Sequence, residues 1–143
     1  MKQSFALFVT ILVCTFCTAN CRSVYGQKDS NVTAVFTNPI IDGDSADPAI
    51  LRLGEYYYLI FTQWDRVGFY QSPVMTDFRN RPYKEVFRAP AGYSDVWAPE
   101  FHVMDGELYI YFCMAGEGKD NRLYVLKADN INDPMGNWSG PVR

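Results

Sequence analysis

Histidine is almost missing from this sequence: His102 is its one example among 143 residues. Cysteine is sparse as well, and of the four present Cys14 and Cys17 fall in an N-terminal segment that reads as removable, leaving Cys21 and Cys113. With no such side chains at ligand spacing, neither a zinc centre nor a disulfide framework is expected. Positive charge is also in short supply. The 13 Lys and Arg against 16 Asp and Glu give a formal charge of −3, so there is no basic footprint for nucleic acid and no polybasic signal for an anionic membrane. A neutral small molecule or polymer fits this balance better. The apolar stretch near the start, residues 5–13, falls short of the roughly 20 residues that span a bilayer.

That stretch follows Lys2 and precedes the small residues Cys17 and Ala19, the order of a secretory signal peptide. Cleavage is expected after Ala19, with Gly26 as a second site and an N-terminal membrane anchor as the alternative. Residues 1–19 thus read as signal peptide, 20–37 as a polar linker without periodicity, and 38–143 as the domain. The mature protein is expected outside the cell and free of the membrane. Its composition, 48% hydrophobic and 16% aromatic with ten Tyr and ten Phe, excludes a disordered chain and favours strands, because aromatic rings suit a pleated, half-buried surface. Cys113, inside the apolar residues 108–113, reads as a buried free thiol. Asn31 and Asn137 open glycosylation sequons usable in a eukaryotic host.

The domain repeats itself. Residues 47–60 lay over 98–112 with one extra residue at Asp105: a Pro precedes an apolar strand, Gly-Glu turns, and an aromatic strand returns. This is a β-hairpin used twice, at an offset of about 50 residues that signals a propeller or solenoid. Third strands follow at 67–72 and 122–128, and each leads into an acidic, aromatic tail, Asp77-Phe78 in one copy and 133–138 in the other. Four short strands per repeat make a propeller blade; an all-β sandwich is the alternative. Two blades fall short of the roughly four to eight that close a ring. The chain is therefore expected to be a fragment that folds poorly alone, with the edge of its second blade unpaired.

Two places could carry chemistry. Asp47 precedes Pro48, which puts its carboxylate at a strand mouth, facing the central channel of a propeller; a plain Asp-Pro turn is the alternative. Residues 95–102 occupy the equivalent mouth of the second blade. There Trp97 offers a flat face for a sugar ring, unless it is core, and Glu100 and His102 add polar contacts. Carboxylates and aromatic rings around one concave opening suit a carbohydrate.

The segment Ser45-Ala46-Asp47-Pro48-Ala49-Ile50 with Tyr56-Tyr57-Tyr58, followed by Val96-Trp97-Ala98-Pro99-Glu100-Phe101-His102 and residues 105–112, resembles the N-terminal region of glycoside hydrolase family 43. The resemblance runs from Asn38 to Arg143, and residues 121–126 with 133–138 resemble the branch of exo-acting α-L-arabinofuranosidases. It implies an all-β, five-bladed β-propeller of which this chain supplies about the first two blades. It also implies inverting hydrolysis of arabinan, arabinoxylan or xylan-type oligosaccharides. Asp47 matches the family's general base. The family's general acid, a Glu of a later blade, and the Asp that tunes it have no counterpart here. Glu100 is accordingly expected to hydrogen-bond behind the substrate rather than act as the acid. Asp65 and Arg66 resemble a family position near the substrate, with a surface ion pair as the alternative. No cofactor is expected; family members can hold a cation in the channel, but no ligands for it are assignable here. Two other readings stay open: a sugar-binding propeller piece lacking the acid, and a five-bladed enzyme acting on fructans, which the Trp97-Ala98-Pro99-Glu100 turn disfavours.

Overall fold

Two tight turns set the architecture of residues 36–116, 118 and 120–143, the part of the chain that the computed structural model describes. The expected signal peptide, Cys21, Asn31 and nearly all of the linker lie outside the described residues.

In the first turn, β1 (Ala49–Leu53) and β2 (Tyr56–Ile60) pair with Leu53 opposite Tyr56, so Gly54-Glu55 is a two-residue loop with Gly54 at φ 60°. Glycine takes that conformation without a steric penalty, and such loops match the right-handed twist of the flanking strands. The sheet continues through β3 (Arg66–Ser72) to β4 (Tyr83–Arg88), each strand antiparallel to the one before. The second sheet repeats this order with β5 (Ser94–Met104), β6 (Glu107–Ala115), β7 (Asn121–Ala128) and β8 (Trp138–Val142).

The second hairpin turns one residue earlier than the repeat implies. Met104 lies opposite Glu107, so the loop is Asp105-Gly106, with φ 52° and 77°. Both central residues are left-handed, as an Asp-Gly turn allows, and Glu107 opens β6 instead of sitting in the loop. The fourth strands also differ from the acidic tails expected to end each blade. Phe78 is a buried plug, and its N–H donates to the Ile40 carbonyl at 2.9 Å. The outer strand of the first sheet comes later, at β4. In the second sheet residues 129–137 are loop and β8 starts at Trp138, whose indole N–H donates to the Pro134 carbonyl at 2.9 Å. Pro141 is tolerated in β8 because an outer strand has a free N–H side.

The two sheets pack face to face. Along β6 burial alternates, with Leu108, Ile110, Phe112 and Met114 turned inward, the period-2 pattern of a strand covered on one side. They meet Tyr58, Ile60, Val67 and Phe69 of the first sheet in one cluster. Phe69, fully buried, lies edge-on to Phe101 at 5.4 Å and to Trp138 at 5.9 Å between ring centres. Burying one such ring contributes about 1.5–3 kcal/mol. A smaller cluster of Leu59, Phe61 and Phe78 fills the opposite face of the first sheet, under Ile40 and Ile41. Cys113 is a free thiol and half-buried rather than fully buried.

Candidate active site

The leading strands β1 and β5 lie against each other where the sheets meet, and each copy carries a residue in left-handed backbone just before a proline, ahead of β1 in the first and within β5 in the second. Asp47 stands at φ 53° before Pro48, and Ala98 at φ 46° before Pro99. The repeat thus extends to the backbone conformation. Residues 95–102, expected at a strand mouth, are part of β5 itself, with register shifts on either side of Trp97. Such bulges re-aim a side chain within a strand.

Thr62 joins the two leading segments. Its backbone N–H donates to the Ala46 carbonyl at 2.9 Å, and its hydroxyl donates to Asp47 Oδ2 at 2.8 Å. The Thr62 hydroxyl oxygen in turn accepts the Ala98 N–H at 2.9 Å. Thr62 itself is 4% exposed, whereas Asp47 is exposed. The carboxylate is therefore pinned from beneath and open above.

Trp97, the residue before Ala98, is partly exposed and meets Trp64 edge-to-face at 6.2 Å between ring centres. Its indole nitrogen is buried and has no hydrogen-bond partner among the described residues. Trp64 is 54% exposed at φ 67°, and its carbonyl accepts the Val96 N–H at 3.0 Å. A bulky residue in left-handed backbone is a strained outlier of the kind that gathers at functional sites. An open cleft of about 420 Å³ runs from Thr62 and Trp64 past Asp42, Asp44, Tyr70 and Tyr83, and neither Asp47 nor Trp97 lines it.

The other expected site residues form separate groups. Glu100 and His102, both exposed on β5, pair with each other at 3.1 Å, and His102 stands edge-on to Tyr111. Asp65 and Arg66 belong to a four-charge network: Asp65 accepts from Arg66 at 2.7 and 3.0 Å and from Arg88 at 2.7 Å, while Glu85 accepts from Arg88 at 2.6 and 3.0 Å. Hydrogen bonding from Arg66 holds the Asp65 carboxyl below the usual carboxylate range. Among the described residues none of these four side chains hydrogen-bonds Asp47. No three His, Cys, Asp or Glu side chains among them converge to hold a metal.

Sequence reasoning passed over Thr62 and Trp64. A polar residue at the buried end of an apolar strand was the available signal for the first, and a lone Trp beside the charged Asp65-Arg66 pair for the second.

Two consecutive four-stranded meanders, packed face to face with their first strands adjacent and a pinned carboxylate at the seam, define a β-propeller protein. The sequence profile of the glycosyl hydrolases family 43 matches residues 36–143, and the chain belongs to that family. It is 28% identical over 142 residues to an extracellular exo-α-(1→5)-L-arabinofuranosidase of Streptomyces avermitilis, covering 93% of this chain and 29% of the relative. It is 28% identical over 120 residues to a β-xylosidase of Bacillus subtilis, covering 75% and 22%. The solved α-L-arabinofuranosidase of Lactobacillus brevis superimposes with a TM-score of 0.64 at 27% identity, covering 76% of this chain and 39% of that one. The chain thus spans less than a third of the length of the two curated relatives.

Proposed function

We propose that this chain carries the general-base side of a secreted glycosidase that removes terminal L-arabinofuranosyl groups from arabinan or arabinoxylan with inversion. The observation that carries the reading is Asp47: an exposed carboxylate, fixed through one oxygen by a buried hydroxyl that also accepts from the backbone of Ala98, the residue after Trp97, at the seam of two blades. A base needs an oxygen open to the water it deprotonates and a fixed direction. Oδ2 is held by Thr62, which leaves Oδ1 available. The water attacks the anomeric carbon from one face of the ring while a carboxylic acid about 6.5–9.5 Å away protonates the departing oxygen from the other. Trp97 supplies an apolar wall for the sugar. Asp65 and Arg66 are assigned to the rim of the cleft, where they shape the approach of the chain. Glu100 and His102 are assigned polar contacts further along β5.

Membership in a family whose relatives include an arabinofuranosidase and a β-xylosidase supports a pentose glycoside as substrate. The extracellular relative supports secretion. The test is proton NMR of hydrolysis of nitrophenyl α-L-arabinofuranoside by the protein expressed from its complete coding sequence. The first-formed sugar is expected to be the β-anomer. Release of the α-anomer would overturn the base role of Asp47, and cleavage of the β-D-xyloside in preference would reassign the sugar.

A further inference from the structure

We propose that Thr62 is the positioning residue for the general base, and that it registers the base against the second blade; this rests on the reading of Asp47 given above. The hydroxyl of a threonine has one proton to give and two lone pairs to receive with. An ionised carboxylate can only accept, so the contact between Thr62 Oγ1 and Asp47 Oδ2 at 2.8 Å fixes where that proton goes. The Ala98 N–H then enters a lone pair of the same oxygen at 2.9 Å. The hydroxyl is satisfied on both sides, is 4% exposed, and has little freedom to turn elsewhere.

The backbone of Thr62 adds a third tie, its N–H to the carbonyl of Ala46, the residue before the base. One residue just beyond β2 therefore holds the segment carrying Asp47 by main chain and side chain together, and reaches across the seam to the residue after Trp97. Both clamped positions are in left-handed backbone, which persists only where surrounding contacts over-determine it. Asp47 could adopt other rotamers without the hydroxyl, because nothing else among the described residues hydrogen-bonds its carboxylate. Thr62 thereby couples the wall on which the sugar lies to the group that activates the water.

The test compares Thr62→Val, which keeps the shape and removes the hydroxyl, with Thr62→Ser, which keeps the hydroxyl and removes a methyl, in the protein expressed from its complete coding sequence. Loss of positioning is expected to lower kcat roughly 10- to 100-fold in Thr62→Val. KM should stay within about 2-fold, because the sugar contacts remain. Thr62→Ser should retain kcat within about 3-fold of the parent, since its hydroxyl can make both bonds. Should the valine chain fail to fold, Thr62→Cys carries the same comparison: its thiol fills the space but donates weakly, and it is expected to lower kcat with KM held. Equal kcat in the parent and the hydroxyl-free variant, or an equal loss in Thr62→Ser, overturns the proposal. Asp47→Asn run alongside separates the two claims. If it is inactive while Thr62→Val is normal, positioning by Thr62 fails alone; if it is fully active, the base assignment fails first.

Discussion

At the scale of single residues, several positions are held by requirements that neighbours cannot relax. Gly68 in β3 lies under the Tyr83 ring: a Cβ there would meet the phenol oxygen at 2.0 Å and the Lys84 carbonyl at 2.9 Å. The ring could swing, but the carbonyl belongs to a paired strand. Gly68→Ala is therefore expected to destabilise by about 1–3 kcal/mol, read as a lower urea midpoint with an unchanged slope. The Tyr83 hydroxyl in turn donates to Gln63 at 2.6 Å. Burial, aided by the nearby Glu85 carboxylate, pushes the phenol up to about 12. A group whose folded pKa is raised contributes stability that is present below its ordinary value of about 10 and is lost as pH rises through the folded one. Burial raises the Tyr58 phenol as well, so an ultraviolet titration should show a late phase to which both Tyr58 and Tyr83 contribute. Tyr83→Phe should shrink that late phase, and a late phase of unchanged amplitude would contradict this environment for Tyr83.

At the scale of elements, the outer strand β4 adds a charge network to its backbone pairing with β3 and to the packing of Val86 and Phe87 on the core. Arg66 and Arg88 stand directly opposite each other across the two strands, an unfavourable pairing alone. Asp65 and Glu85 lie between them and convert repulsion into a closed network. Because Arg66 and then Arg88 depress the Asp65 carboxyl, its contribution is present above the ordinary carboxylate pKa and is lost as pH falls through the lower folded value. Its side chain is half exposed, so solvent screens the effect. Asp65→Asn should lower the melting temperature slightly at neutral pH, and the difference should shrink on acidification; a difference that grows on acidification would contradict the network.

This element shows where legibility in the sequence ended. The hairpins β1–β2 and β5–β6 were readable because glycine turns flank runs of apolar and aromatic residues. In β4, Tyr83-Lys84-Glu85-Val86-Phe87-Arg88 has three charges in six residues, and an outer strand that faces water shows no clean alternation. The tail around Phe78 looked like a blade's end, yet that ring plugs the small cluster on the far face. The carboxylate of Asp47 and the indole of Trp97 were legible from repeat position. The link between them was not, since Thr62 gains its role only when two left-handed residues 51 positions apart, Asp47 and Ala98, are brought to one seam.

At the scale of the whole molecule, the seam between blades is both core and proposed site. Phe69 anchors it, touching Tyr58 within its own sheet and Phe101 and Trp138 across it. Phe69→Ala is expected to cost about 3–5 kcal/mol and to loosen the contacts that bring Ala98 to Thr62, so activity should fall along with the melting temperature. Full activity at a lowered melting temperature would mean that the site does not depend on that packing. The same geometry makes the proposed base, Asp47, the most direct point of attack. Asparagine tolerates the left-handed backbone that Asp47 requires and can still accept from Thr62, so Asp47→Asn removes the charge with little else. The decisive measurement is kcat of that variant on nitrophenyl α-L-arabinofuranoside, in the protein expressed from its complete coding sequence. A loss of about 100- to 10,000-fold with an unchanged melting temperature is the predicted result, whereas a rate within about 3-fold of the parent would contradict the assignment of Asp47 as general base.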